Sequence, residues 1–313
     1  MDLTETGSFG RVLATRRSWR LTLPREREWV IGPRASVLAV LNVTPDSFSD
    51  GGRFPSPDHA VAAGLAALAD GADAIDIGGE STRPGAVAVP VEEQLRRVLP
   101  VVEGLRRATD APLSIDTRSP VVGSAALASG ADIVNDVAAC ADPGWIPVLR
   151  ASSCPVILMH MRGTPTDMQR RTEYPGGVLP EVVRFLADRI QSLAAAGISR
   201  ERVIVDPGVG FAKEAAQNVE ILDGLGSLAA LDRPILFGAS RKFFLGKILA
   251  ESSASRGGVA RGRDARERDA GTVAVNTVAV LAGASVLRVH NVPFSRDLVD
   301  VLDALSRVPE FGG

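Results

Sequence analysis

Eight short apolar runs, each ending in polar residues, constrain this chain more than any other feature. They cover residues 37–43, 74–78, 113–116, 132–135, 156–160, 203–206, 235–238 and 286–290. Most are rich in Val and Ile with little polar alternation, as parallel strands buried on both faces are. Segments with helical spacing lie between them, at 58–70, 91–108, 120–129, 143–151, 177–196, 215–231, 270–282 and 295–305. Ser56 and Asp58 give the first helix a start signal, and Ser119-Pro120 does so for the third. Gly71, Gly130, Gly197 and Gly283 each follow a helical segment and read as C′ glycines. Eight strands alternating with eight helices predict an α/β protein with a (β/α)8 TIM barrel. A doubly wound open sheet is the alternative, but no GxGxxG follows the first strand and no composition break splits the chain.

The barrel is expected to be a single domain over residues 36–313, with residues 1–35 an extension and β lead-in. Residues 1–10 read as disordered. Residues 11–31 read as β-rich, with Trp19 to Leu23 alternating, and such a hairpin would close the bottom of the strand ring. One segment, 252–269, is rich in Gly, Ser and Arg without apolar period and reads as a mobile insertion.

Composition narrows the function classes. With 313 residues and 45% hydrophobic content, the chain can bury a full core. A net charge of −2 gives no basic field for nucleic acid. Cys140 and Cys154 stand in no metal-ligand spacing and read as reduced thiols. No apolar run reaches the roughly 18 residues of a membrane span, and no signal-peptide core is evident. A soluble, cytoplasmic protein is expected, with small-molecule substrates and no membrane partner.

A barrel gathers the carboxyl ends of its strands on one face, where active sites lie. The ends here carry Asn42, then Gly79-Glu80-Ser81-Thr82-Arg83-Pro84, then Asp116, Asn135-Asp136, Met159-His160, Asp206 through Phe211 to Lys213, Gly238 through Ser240-Arg241-Lys242, and Arg288-Val289-His290. Two chemistries separate. Asp116, Asn135 and Asp206 suit a heterocycle with ring N–H and amino donors and a carbonyl acceptor. Arg83, Ser240, Arg241, Lys242, Arg288 and His290 suit phosphate or pyrophosphate. The ends of strands seven and eight are also where barrels commonly keep a phosphate site.

On these residues the chain resembles dihydropteroate synthase, the folate-pathway enzyme inhibited by sulfonamide drugs. The blocks run in family order over about residues 37–305. The longest are Leu41-Asn42-Val43-Thr44-Pro45-Asp46-Ser47-Phe48-Ser49-Asp50-Gly51-Gly52 and Gly79-Glu80-Ser81-Thr82-Arg83-Pro84-Gly85-Ala86. The resemblance implies a transferase that joins 6-hydroxymethyl-7,8-dihydropterin pyrophosphate to 4-aminobenzoate, with Mg2+, as a homodimer. It implies that Asp116, Asn135 and Asp206 hold the pterin edge, with Met159, Phe211 and Gly238 nearby and Lys242 and Arg288 against its faces. It places pyrophosphate on Asn42, Arg83, Arg288 and His290, with Asn42 also near Mg2+. Thr82, Arg83, Pro84 and Ser240 would form the aminobenzoate pocket, completed by the loops after strands one and two.

Elementary chemistry agrees with that assignment. Loss of pyrophosphate from a methylene on an electron-rich ring leaves a stabilised cation, so an SN1-like step needs chiefly a stabilised leaving group. No nucleophile of the Ser-His-Asp kind is evident, and His160 reads as structural. The chain departs from the family pattern at Asn291, where Asp is usual, at Ala212, where Gly is usual, and in its long insertion. An Asp at 291 would be expected to favour the imidazolium form of His290. Two other readings share the barrel: a pterin-dependent methyltransferase domain, which does not need the long loops or Ser240-Arg241-Lys242, and a non-catalytic pterin-binding paralogue.

Overall fold

In the computed structural model, which describes residues 16–44, 56–83, 85–257 and 263–307, the chain opens with an antiparallel hairpin. Its strands are β1 (Trp19–Leu23) and β2 (Arg27–Ile31). The expected runs then form eight parallel strands: β3 (Ser36–Asn42), β4 (Ala74–Gly78), β5 (Leu113–Asp116), β6 (Ile133–Asp136), β7 (Val156–Met159), β8 (Val203–Asp206), β9 (Leu236–Phe237) and β10 (Val286–Val289). Pairing runs in sequence order from β3 to β8, and β10 joins β3 to β9. A parallel bridge between Val205 and Ile235 brings β8 against β9, so the sheet curls into a ring.

Between the strands lie α1 (Pro57–Ala69), α2 (Val91–Ala108), α3 (Pro120–Ser129), α4 (Trp145–Ala151), α5 (Val178–Ala195), α6 (Ala215–Asp223), α7 (Phe243–Ser255), α8 (Asp269–Leu281) and α9 (Val292–Ser306). Caps fall where the sequence put them: Ser56 accepts from the His59 N–H and Ser119 from the Val122 N–H, each with Pro in the first turn. The four glycines read as C′ all have positive φ. Two expectations change. The 215–231 helix breaks at Gly224, and residues Leu225–Leu231 continue as 3-10 turns. The 252–269 segment is shorter as an irregular stretch than expected: Ser252 to Ser255 complete α7, and Asp269 opens α8. Residues 258–262 of it, and residues 1–10, lie outside the described residues. Among the described residues no helix is long and apolar enough to cross a membrane.

Strand alternation decides what fills the barrel. Leu38, Ala74, Ile133, Ile157, Ile204, Leu236 and Val286 form one buried layer, and Leu21, Leu23, Trp29 and Ile31 of the hairpin join the same cluster. The hairpin therefore plugs the amino-terminal end of the ring, as its sequence predicts. Burying each such side chain contributes about 1.5–3 kcal/mol. A second device fixes it there. The Asp132 carboxylate is fully buried and accepts from Arg25 at 2.6 Å, from Arg27, and from the Leu113 N–H at 3.0 Å; Arg106 lies 3.5 Å away. Two residues further along the strands the interior changes character. Asp76, Asn135, Met159, Asp206, Gly238 and Arg288 follow Ala74, Ile133, Ile157, Ile204, Leu236 and Val286 at this spacing. One pleat repeat, about 6.6 Å, thus separates an apolar plug from a polar mouth.

Candidate active site

Arg288 is the centre of the mouth. Its Nε donates to Asp76 Oδ2 and its terminal nitrogen to Asp116 Oδ2, both at 2.6 Å. Asn135 Nδ2 donates to the same Asp76 oxygen at 2.9 Å. Burial works against the Arg288 charge, but Asp76, Asp116 and Asp206 together hold its pKa above the ordinary range. Burial pushes Asp116 and Asp206 up, while Arg288 and Lys242 respectively draw them back. Asp76 received no role from sequence, yet it organises Arg288 and Asn135. The available signal was an acid inside the apolar strand Ala74-Ile75-Asp76-Ile77-Gly78, on the same strand face as Gly78.

On the far side, Asp206 Oδ1 accepts from the Gly208 N–H at 2.7 Å. Lys242 Nζ lies 4.5 Å from the centroid of the Phe211 ring and donates to the Val209 carbonyl. Burial lowers the Lys242 pKa to about 8. Met159 and Phe211 are buried with Val137, Met168 and Ala212 in a separate apolar cluster. Ala212 has φ 51°, where the family's usual Gly is at ease, and its buried methyl group joins this cluster. Gly238 faces Arg288: a Cβ there would stand 3.6 Å from the Arg288 Cβ. So Asp116, Asn135, Asp206, Met159, Phe211, Gly238, Lys242 and Arg288 come together in the mouth.

The side expected to take the anion is built on helix ends. Lys242 is the N-cap of α7, and His290 immediately precedes Asn291, the N-cap of α9. Helix N-termini favour negative charge. Ser240 Oγ accepts from the His290 N–H at 3.1 Å and lies 3.0 Å from His290 Nδ1. In the tautomer whose Nδ1 accepts the serine proton, the imidazole carries its own proton on Nε2. Burial, then the charges of Arg288, Arg241 and Arg83, lower the His290 pKa to about 3, so the ring is neutral. The Asn291 side chain is held by α9 and Asp269. Its Oδ1 caps α9 at Phe294 N (3.2 Å) and its Nδ2 donates to Asp269 (2.9 Å). Arg241, expected among the anion ligands, instead gives Asp269 two bonds at 2.7 and 2.8 Å.

The remaining residues lie on the rim. Asn42 ends β3, and its Oδ1 stands over Gly78 beside Asp116. Thr82 and Arg83 sit on the loop between β4 and α2; Arg83 is exposed, and Pro84 lies outside the described residues, as does the 45–55 segment after β3. Glu80 ties the base of the loop by accepting from Val89 N at 2.9 Å and Arg118 at 3.1 Å. Its crest crosses to the β7 side, where Gly85 N donates to the Pro165 carbonyl at 2.9 Å. Among the described residues no cluster of three or more His, Cys, Asp or Glu could hold a metal by itself.

Comparison with known proteins finds relatives over nearly the whole barrel. A family described as pterin binding enzyme covers residues 38–290. Dihydropteroate synthase of Synechocystis sp. is 42% identical over 277 residues, which is 88% of this chain and 92% of that protein. A structure of Xanthomonas albilineans dihydropteroate synthase with 4-aminobenzoic acid superposes with TM-score 0.84 at 43% identity, covering 94% of this chain and 100% of that one. The same enzyme in complex with 7,8-dihydropteroate superposes with TM-score 0.80 at 40% identity, over 93% and 100% of the two chains. The barrel, its polar mouth and these relatives agree, and the chain belongs to the dihydropteroate synthase family of pterin-binding enzymes.

Proposed function

We propose that this protein joins 6-hydroxymethyl-7,8-dihydropterin pyrophosphate to 4-aminobenzoate, giving 7,8-dihydropteroate and pyrophosphate in folate biosynthesis. The observation that carries this reading is the convergence of Asp116, Asn135 and Asp206 with Lys242 and Arg288 in one barrel mouth. The acids and the amide accept from and donate to the pterin edge. Met159 and Phe211 supply an apolar surface for its ring. Arg288, Arg83, neutral His290 through its Nε2–H, and the N-terminus of α9 stabilise negative charge on the departing pyrophosphate. Ser240, held by His290, links that region to the aminobenzoate side with Thr82 and Arg83.

Asn42 offers the hard amide oxygen that Mg2+ prefers, and a metal bound mainly by substrate phosphates and water needs only one or two protein oxygens. Bound there, Mg2+ would supply further charge neutralisation for the leaving group. We also place the protein in the cytoplasm, where its two buried free cysteines remain reduced, and as a homodimer. Val278, Phe294, Val301 and Leu305, exposed on α8 and α9, support the second of these. Sedimentation of the pure protein tests it, a monomer at micromolar concentration being the contrary result.

The decisive experiment is a turnover assay with both substrates and Mg2+, reading pyrophosphate release. Absence of turnover with intact pterin binding would favour the non-catalytic paralogue. Two further results are expected. Asp206→Ala removes a charged acceptor facing a buried ligand and weakens pterin pyrophosphate binding by about 1.5–3 kcal/mol, roughly 10- to 150-fold. Unchanged calorimetric affinity in the folded variant would remove Asp206 from the pterin site. Binding is also ordered. Arg83 gains an anionic partner only with pyrophosphate present, so 4-aminobenzoate binds the loaded protein more tightly than the free one. Equal affinity for both forms contradicts the ordering.

A further inference from the structure

We infer that Lys213 is a positioning residue for the pterin site, acting through the turn that follows β8. The inference rests on the synthase reading only in naming the pterin as the ligand that this turn meets. Lys213 is 3% exposed. Its Nζ lies 2.9 Å from the Gly208 carbonyl, 2.9 Å from the Phe211 carbonyl and 2.9 Å from His160 Nδ1. Among the described residues no carboxylate is within bonding distance of it, which is unusual for a buried lysine. Whether the shared proton sits on the amine or on the imidazole, the three contacts are kept.

The turn around this nitrogen is an uncommon one. Gly208, Gly210 and Ala212 all have positive φ, at 67°, 82° and 51°. Gly208 passes so close to the β7 end that a Cβ would stand 2.0 Å from the His160 carbonyl oxygen. The Gly208 and Phe211 carbonyls converge, and their dipoles oppose one another unless a donor lies between them. Lys213 is the donor that reaches both, while the Phe211 N–H donates to the Gly208 carbonyl alone, at 3.1 Å. His160 fixes it from β7: its N–H donates to the Asp206 carbonyl at 3.0 Å, and its ring meets Phe185 edge-on at 5.0 Å. Burial above all lowers the His160 pKa to about 2, so the imidazole is neutral, and burial likewise pushes the Lys213 pKa well below its ordinary value.

Three groups of the pterin site depend on this turn. The Gly208 N–H orients the Asp206 carboxylate, the Val209 carbonyl receives Lys242, and Phe211 presents its ring to Lys242. Without Lys213 the two carbonyls would separate, and all three groups would shift together. A residue that only filled the core would lower stability and leave substrate preference alone.

The test uses Lys213→Met, which keeps the length and removes the donor. The expected result is a KM for the pterin pyrophosphate raised roughly tenfold to a hundredfold, with the KM for 4-aminobenzoate within about twofold. Calorimetry with the pterin pyrophosphate alone should show the same loss. Because that measurement needs no turnover, an inactive wild type that still binds pterin counts against the synthase reading and not against this inference. A folded Lys213→Met protein with wild-type pterin affinity overturns the inference. Should that variant fail to fold, His160→Asn and His160→Leu decide. Asn places an oxygen near the Nδ1 position, so it should keep pterin affinity while Leu loses about fivefold or more; equal affinities overturn the proposal.

Discussion

Arg288→Met should abolish turnover and destabilise the protein in a pH-dependent way. Two carboxylates, Asp76 and Asp116, meet at this one guanidinium, and both are buried. Removing one partner of a buried ion pair costs about 3–5 kcal/mol, because the other charge is left unpaired. Burial already pushes the Asp116 pKa up, with Arg288 the largest opposing influence. In the variant the folded-state pKa of Asp116 therefore lies further above its unfolded value. The folded variant then holds that proton more tightly than the unfolded chain does. Its stability is greatest below the unfolded pKa and falls as pH rises through the raised folded pKa. Urea unfolding of wild type and variant at pH 6 and pH 8 reads this directly: the difference between them should widen at pH 8. Turnover should fall about a thousandfold, as when a preorganised stabiliser of developing charge is lost. Arg288→Lys should not rescue it, since one ammonium cannot reproduce two divergent N–H bonds. Near-wild-type turnover of the Lys variant would show that the fork geometry is unimportant.

The fold was legible because the barrel repeats its signal eight times. Each apolar run between helical segments is weak alone, but helix starts at Ser56 and Ser119 and stops at Gly71, Gly130, Gly197 and Gly283 agree with it. The hairpin's role as a plug was readable from the alternation of Trp19 to Leu23 and its position before the first barrel strand. The seventh barrel helix was harder. Residues Phe243–Ser255 end in small and polar side chains, so the apolar face fades before the helix does. Gly224, inside a segment of helical spacing, turned the tail of α6 into 3-10 geometry.

The site was legible where a polar residue ends a strand, since topology alone then carries it to the mouth. Asp116 and Asp206 end their strands, and Asn135 and Arg288 stand one residue before the end. What sequence could not supply was who pairs with whom. Asp76 sits two residues before the end of its strand, yet it holds both Arg288 and Asn135. Arg241 and Lys242 are adjacent and alike in charge, but one is spent on Asp269 and the other faces Phe211. Asn291 looked like a change in the charge around His290. Its side chain instead caps α9 and meets Asp269, a partner 22 residues away that sequence does not announce.

The other large effect should appear at the opposite end of the barrel, where stability and catalysis separate. Asp132→Asn removes the buried carboxylate that pairs with Arg25, Arg27 and Arg106 at the hairpin's seat. The arginines are partly hydrated, with side chains 41%, 22% and 16% exposed, so the cost falls below that of a fully buried pair. About 2–3 kcal/mol is the expected loss. At roughly 2–4 °C per kcal/mol for a chain of this class, the melting midpoint should drop by about 5–10 °C. Single replacement of Arg25 or Arg27 by Met should cost less, because the remaining arginines still neutralise Asp132, and the two losses should not add. Turnover at 25 °C should stay within about twofold, since an apolar layer of seven strand residues lies between Asp132's hairpin and the mouth. Calorimetric melting together with the turnover assay checks both halves. An unchanged midpoint would mean that hydrophobic burial alone seats the hairpin; a midpoint lowered together with lost turnover would mean that the plug and the mouth are coupled through that layer.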